Sequence, residues 1–193
     1  MTASHRFTEN TLREPLRARL ARRVRSVAPS GIGRPSAVLV PLFERRGETH
    51  VLLVLRAQGM RDHSGQVAFP GGKHDDADGS LLVTALREAE EEIGLARDGV
   101  DVLGALDDYP TITGFVITPY LGWIREDAAL SPNTAEVARV LAAPLTTFLE
   151  APIGTFPRIG WRIDGELLWG ATAAIVRELL SIAGEAAADA STQ

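Results

Sequence analysis

The sequence predicts an α/β fold, a mixed sheet lying between helices, with a helical extension at its N-terminus. Three observations carry this prediction. Leu82, Leu86, Ala89 and Ile93 recur at helical spacing, short Val- and Leu-rich runs flank that helix on both sides, and Asp164-Gly165 joins two later runs as a hairpin turn. With 193 residues, 45% of them hydrophobic and 23% charged, the chain can bury a full core as one globular domain.

Taken in order, residues 1–34 hold eight arginines against only Glu9 and Glu14. Thr11 and Glu14 have the spacing of a capping box, and Leu16, Leu20, Val24 and Val27 form a helical stripe, so a helix packed by that stripe is expected. Its arginines would be solvated or would face acidic partners within the fold. An Arg-rich amphipathic start is also compatible with an organelle transit peptide. Residues 28–35 read as a linker. Residues 1–34 are thus an extension of the same unit, 35–183 the main domain, and 184–193 a small, polar tail expected to fray. Within the domain, 37–43 and 49–56 read as strands, as do 100–106 and 115–124 on either side of a polar loop at 107–114. Residues 158–163 and 166–169 form the hairpin, and 171–182 a closing helix.

Composition excludes several classes. The chain has no cysteine, so disulfides and thiolate chemistry are ruled out and a reducing compartment is permitted. No apolar run is long enough to span a membrane, and the start lacks a signal-peptide core. A cytoplasmic protein without membrane partners is expected. The net charge of −5 argues against a general nucleic-acid binder.

The segment from Arg87 to Leu95 carries Glu88, Glu90, Glu91 and Glu92. On a helix, Glu88, Glu91 and Glu92 share one face, where like charges repel by a few tenths of a kcal/mol per pair. Asp78 or Ser80 can cap the helix start, and Gly94 can end it in the left-handed conformation. The apolar stripe would then turn the acidic face away from the core. A divalent cation would relieve the repulsion, and oxygen-only ligands suit Mg²⁺ or Mn²⁺ better than zinc. A solvated charged face is the alternative. Upstream, Val- and Leu-rich residues end at Arg56, followed by Arg61 and His63. Arginines here could bind phosphate in forked geometry, and Gly65, Gly71 and Gly72 could form turns or admit a ligand close to the backbone.

These residues resemble the Nudix hydrolases. Gly72, Arg87, Glu88, Glu91, Glu92, Gly94 and Leu95 fit that family's signature. The signature's first acid is here Asp78 in place of Glu, eight residues instead of seven separate it from Arg87, and Ala89 stands for a larger aliphatic residue. Leu52, Leu53, Arg56, Ala57, Arg61, Gly65 and Phe69-Pro70-Gly71-Gly72 are similar to the motif preceding the signature in the coenzyme A pyrophosphatase branch, with Val54 replacing a Thr.

The resemblance implies a Nudix α/β/α sandwich and metal-dependent hydrolysis of the diphosphate bond of coenzyme A or its derivatives, giving 3′,5′-ADP and 4′-phosphopantetheine. It implies that Glu88, Glu91 and Glu92 hold Mg²⁺ or Mn²⁺, helped by a carbonyl near Gly71 or Gly72, and that Arg87 orients Glu91. Substrate would meet Arg56, Arg61, His63, Gly65, Phe69, Gly71 and Gly72. The general base would be Glu92 or Glu136, although Glu136 also reads as an exposed helix-start residue. Two other readings stay open: a pyrophosphatase for ADP-ribose, NADH or nucleoside triphosphates, and a nucleotide-sensing Nudix-like domain without hydrolysis.

Overall fold

The computed structural model describes residues 9–58, 65–155 and 158–190. Its centre is the strand β1 (Arg34–Arg45), which pairs antiparallel with β2 (Glu48–Arg56) through the tight turn at Arg46-Gly47. On its other side β1 runs parallel to β7 (Phe115–Trp123), in register from Arg34 opposite Phe115 to Leu42 opposite Trp123. The sheet extends from β2 to β3 (Val67–Ala68) and β8 (Val137–Pro144), and from β7 to β5 (Asp101–Ala105) and β6 (Tyr109–Pro110). A three-residue strand, β4 (Gly71–Lys73), pairs with the first half of β1. The parallel pair in an otherwise antiparallel sheet is the expected mixed arrangement. A separate hairpin joins β9 (Trp161–Ile163) to β10 (Glu166–Leu168), turning at Asp164 and Gly165, both with positive φ.

Because β1 is covered on both faces, it reads as a nearly continuous apolar run. Ala37, Leu39 and Phe43 pack with Leu52 and Val54 against α2 (Leu81–Ile93) on one face. Val40 and Leu42 pack with Val51 and Leu53 on the other, under α1 (Glu9–Arg22) and α3 (Gly170–Ala190). This is an α/β/α sandwich. No helix among the described residues is long and apolar enough to cross a membrane.

Three expectations are corrected. Helix α1 begins at Glu9 and ends at Arg22, so Thr11 lies inside it instead of capping it, and the buried stripe is Leu12, Leu16 and Leu20. Val24 is 97% exposed and Val27 61%. Beyond the helix the chain is held by its polar side chains, with Arg23 paired to Asp107 and Glu178 and Arg25 to Asp108. Arg13, Arg17, Arg19, Arg23 and Arg25 do face acidic partners within the fold. Second, the 28–35 linker is shorter than expected, since Arg34 and Pro35 already belong to β1. Third, residues 184–190 continue α3 in place of fraying: Ala183, Ala186 and Ala187 are buried in the core, and Arg19 pairs with Glu185 and Asp189.

Candidate active site

The site is built where α2 lies against β4 and the end of β2. Ser80 caps α2 by accepting from the Val83 amide at 3.3 Å, and Gly94 closes it with φ 69°. The preceding acid, Asp78, sits in a short 3₁₀ turn whose own cap is Asp75. The glutamates differ sharply in environment. Glu91 and Glu90 are exposed, as an acidic outer face predicts. Glu92 is 1% exposed, contrary to that prediction, because it shares the inward side of the helix with Ala85 and Ala89.

What buries Glu92 comes from distant sequence. One carboxylate oxygen accepts from Arg56 Nη1 at 3.0 Å and the other from the Gly71 amide at 3.1 Å. A glycine is needed at position 71, since a Cβ there would stand 2.4 Å from the Ala37 carbonyl. Burial pushes the Glu92 carboxyl up to about 7, against the pull of Arg56 and the Gly71 N–H. Glu88 is likewise raised, first by burial and further by the charges of Glu91 and Glu136, while Arg87 opposes the shift. Its carboxylate lies so close to Gly72 that a Cβ there would fall 2.5 Å from it.

Arg87 bonds Glu91 at 2.9 Å, the expected i, i+4 pair. Its larger engagement is with Asp78, through Nε at 2.7 Å and Nη2 at 3.0 Å, and it also pairs with Glu88 at 3.0 Å and the Lys73 carbonyl at 3.3 Å. The fork from Arg87 holds the Asp78 carboxyl well below the usual carboxylate range. Asp78 was expected only as a possible cap of α2, a role that Ser80 takes. The position of Asp78 as the signature's first acid was the signal that it would lock the loop before α2 to the helix.

The remaining expected residues separate into groups. Glu136 is half-buried in a turn before β8, not at a helix start, and accepts from Asn133 Nδ2 at 2.9 Å. The 131–136 segment is pinned to the end of α2, with the Ser131 amide on Ile93 O and the Asn133 amide on Glu92 O, which brings the Glu136 charge to bear on Glu88 and Glu92. Gly65 closes the base of the motif loop, its amide donating to the Arg56 carbonyl at 3.2 Å. Phe69 was expected at the ligand but is a core side chain, 3% exposed, because β3 and the following residue pack under the second face of the sheet. Arg61 and His63 lie outside the described residues.

The donor set is all oxygen, a chemistry that suits a hard cation better than a soft one. Among the described residues no three acidic or histidine side chains converge as a preformed cage. Glu91 is turned to Arg87 and Glu92 to Arg56. Buried Glu92 and half-buried Glu88 are nonetheless both held above their ordinary range despite their arginine partners, and a cation would relieve that.

Residues 33–152 match the family model described as NUDIX domain. The chain belongs to the Nudix family. It is 42% identical over 163 residues to the uncharacterized Nudix hydrolase NudL of Cronobacter sakazakii, an alignment covering 79% of this chain and 84% of that one. Among solved structures, a Nudix hydrolase from M. smegmatis, RenU, superposes with a TM-score of 0.60 at 20% identity, covering 79% of this chain and 86% of that chain. The Nudix domain of Shewanella oneidensis NrtR complexed with ADP ribose gives 0.55 at 19% identity, covering 83% and 90%. These superpositions support the α/β/α sandwich; at such identities they say nothing of substrate.

Proposed function

We propose that the protein is a Nudix pyrophosphohydrolase acting on the diphosphate bond of coenzyme A and its derivatives, releasing 3′,5′-ADP and 4′-phosphopantetheine or its acyl form. The observation that carries this reading is the juxtaposition of two sequence features. The segment from Leu52 to Gly72, similar to the coenzyme A branch motif, delivers Arg56 and Gly71 onto Glu92 of the acidic helix.

Glu88, Glu91 and Glu92 would hold Mg²⁺ or Mn²⁺, with a carbonyl of Gly71 or Gly72. The bound ion supplies charge neutralisation at the diphosphate and acidifies a water. Asp78 and Arg87 keep the helix start fixed, and Arg87 would orient Glu91 through their ion pair. Glu92 and Glu136, whose charges bear on one another, are the candidates to accept a proton from the attacking water. Arg56 would meet a second phosphate, as would Arg61 by its position in the motif.

The purified protein, assayed with coenzyme A, dephospho-coenzyme A, ADP-ribose and NADH, tests the reading. Coenzyme A is expected to be the best substrate. Loss of the 3′-phosphate should lower kcat/KM about tenfold or more, the scale of one charge-assisted hydrogen bond. Equal rates on all four would defeat the coenzyme A assignment, and a preference for ADP-ribose or NADH would move the chain to another pyrophosphatase class. No turnover of any would point to a nucleotide sensor.

A further inference from the structure

The contact between Arg56 and Glu92 asks more of Arg56 than phosphate binding. Strand β2 slips register against β8 between Leu55 and Arg56, an irregularity of the kind that re-aims a side chain. The Arg56 amide is tied to the Gln66 carbonyl and the next amide to the Glu136 carbonyl, so the guanidinium is launched from a fixed base toward α2. There Nη1 meets Glu92, whose side chain is 2% exposed. The Arg56 Nε is buried and has no hydrogen-bond partner among the described residues. A buried carboxylate left without a counter-charge is strongly unfavourable, and a buried donor left without an acceptor is uncommon. The arrangement satisfies the first condition and leaves the second open.

We propose that Arg56 is a displaceable counter-ion for Glu92: it occupies the carboxylate while no divalent cation is bound, yields it on cation binding, and is thereby released to a phosphate oxygen of the substrate. The proposal rests on the cation-binding reading of the glutamates given above. Cation and guanidinium compete for one carboxylate, so each weakens the other there. The freed fork then becomes a two-donor site for phosphate. Arg56 is a positioning residue until substrate arrives.

Direct Mn²⁺ binding to substrate-free protein, read as free Mn²⁺ by electron paramagnetic resonance, separates this from two simpler roles. Arg56→Gln should bind Mn²⁺ about tenfold more tightly than the native chain, the scale on which a nearby like charge shifts an equilibrium at a carboxylate. Unchanged or weaker binding overturns the proposal: unchanged affinity makes Arg56 a substrate residue only, and weaker affinity makes it a brace for Glu92. A second readout needs no stability in that variant. In ¹⁵N-arginine-labelled native protein, the Arg56 Nε–Hε resonance, assigned by its loss in Arg56→Lys, should move on titration with Mg²⁺. A resonance that stays in place through Mg²⁺ saturation overturns the proposal independently. Glu92→Gln keeps the two levels distinct. If it binds Mn²⁺ as tightly as the native chain, the cation reading itself fails; if it binds weakly while Arg56→Gln changes nothing, only the counter-ion proposal fails.

Discussion

Two regions of this molecule press arginine against carboxylate, with opposite electrostatic results. Where α1 meets β5, Asp101 receives Arg13 through Nε at 2.9 Å and Nη2 at 2.6 Å, and Arg17 at 2.6 Å, at a site about one-third exposed. Burial would raise the Asp101 carboxyl, but the Arg17 and Arg13 donors outweigh it and hold the group low. Where α2 meets β4, Glu92 has one arginine, one amide and almost no solvent, and its carboxyl is raised. The first cluster has cation in excess and reads as structural glue. The second is short of cation, and that shortage is what recommends it as a site for one.

The sharpest way to break this contrast is to remove the carboxylates from the second region. Glu88→Gln combined with Glu92→Gln should lower kcat under saturating Mg²⁺ by about 1000-fold or more, matching the several kcal/mol of charge stabilisation a metal site supplies. The same variant should melt no earlier than the native chain, since both carboxyls are held above their ordinary range and folding disfavours their charge. Hydrolysis at the native rate would sink the assignment of these glutamates.

A smaller effect reads the raised carboxyl itself. Glu92 moves from an ordinary value of 4.5 to about 7 in the folded protein, so between those limits the folded state holds a proton that the unfolded chain has released. Stability in chelator should therefore fall as pH rises from about 4.5 to about 7, with the deficit complete above that, and should recover on acidification. Its full size is about 3 kcal/mol. Urea midpoints in EDTA between pH 5 and 8 would show the decline in the native chain and a flatter profile in Glu92→Gln. Parallel profiles would mean that Glu92 carries no such cost.

The contrast also explains which features could be read from sequence. Helix α2 was legible because its signals are local: apolar spacing, Gly94 as stop, and a cap at Asp78 or Ser80, of which the structure uses Ser80. The Arg87 to Glu91 pair was legible for the same reason. Glu92 was misread as outward-facing, because a charge in a Glu run belongs by default to the surface. Its burial depends on Gly71 and Arg56, which only the folded sheet brings to it. Strand β8 escaped notice because Val137 to Pro144 is rich in small residues and its pattern of burial is set by pairing with β2. At the ends, Val24 and Val27 continued a helical stripe that the chain abandons after Arg22, whereas the alanines of 183–187 had too little side chain to announce the core they enter. Periodicity shows where an element could pack; partners distant in sequence decide where it stops.

The smallest expected effect comes from the first region, and it sharpens the comparison from the other side. Asp101→Asn leaves Arg13 and Arg17 without their shared carboxylate, but both arginines are more than a third exposed and can turn to water, and Arg17 keeps its bond to the Val102 carbonyl at 3.0 Å. Partly exposed pairs contribute about 1 kcal/mol or less, so the melting temperature should fall by about 2–4 °C, and kcat should not change. Thermal melts and steady-state kinetics on the one variant check both halves. A loss of turnover would mean that the α1 extension reaches the chemistry through β5. A fall well beyond this range would mean that the three donors on one carboxylate oxygen act as a buried network, and that the two arginine clusters differ less than their exposure implies.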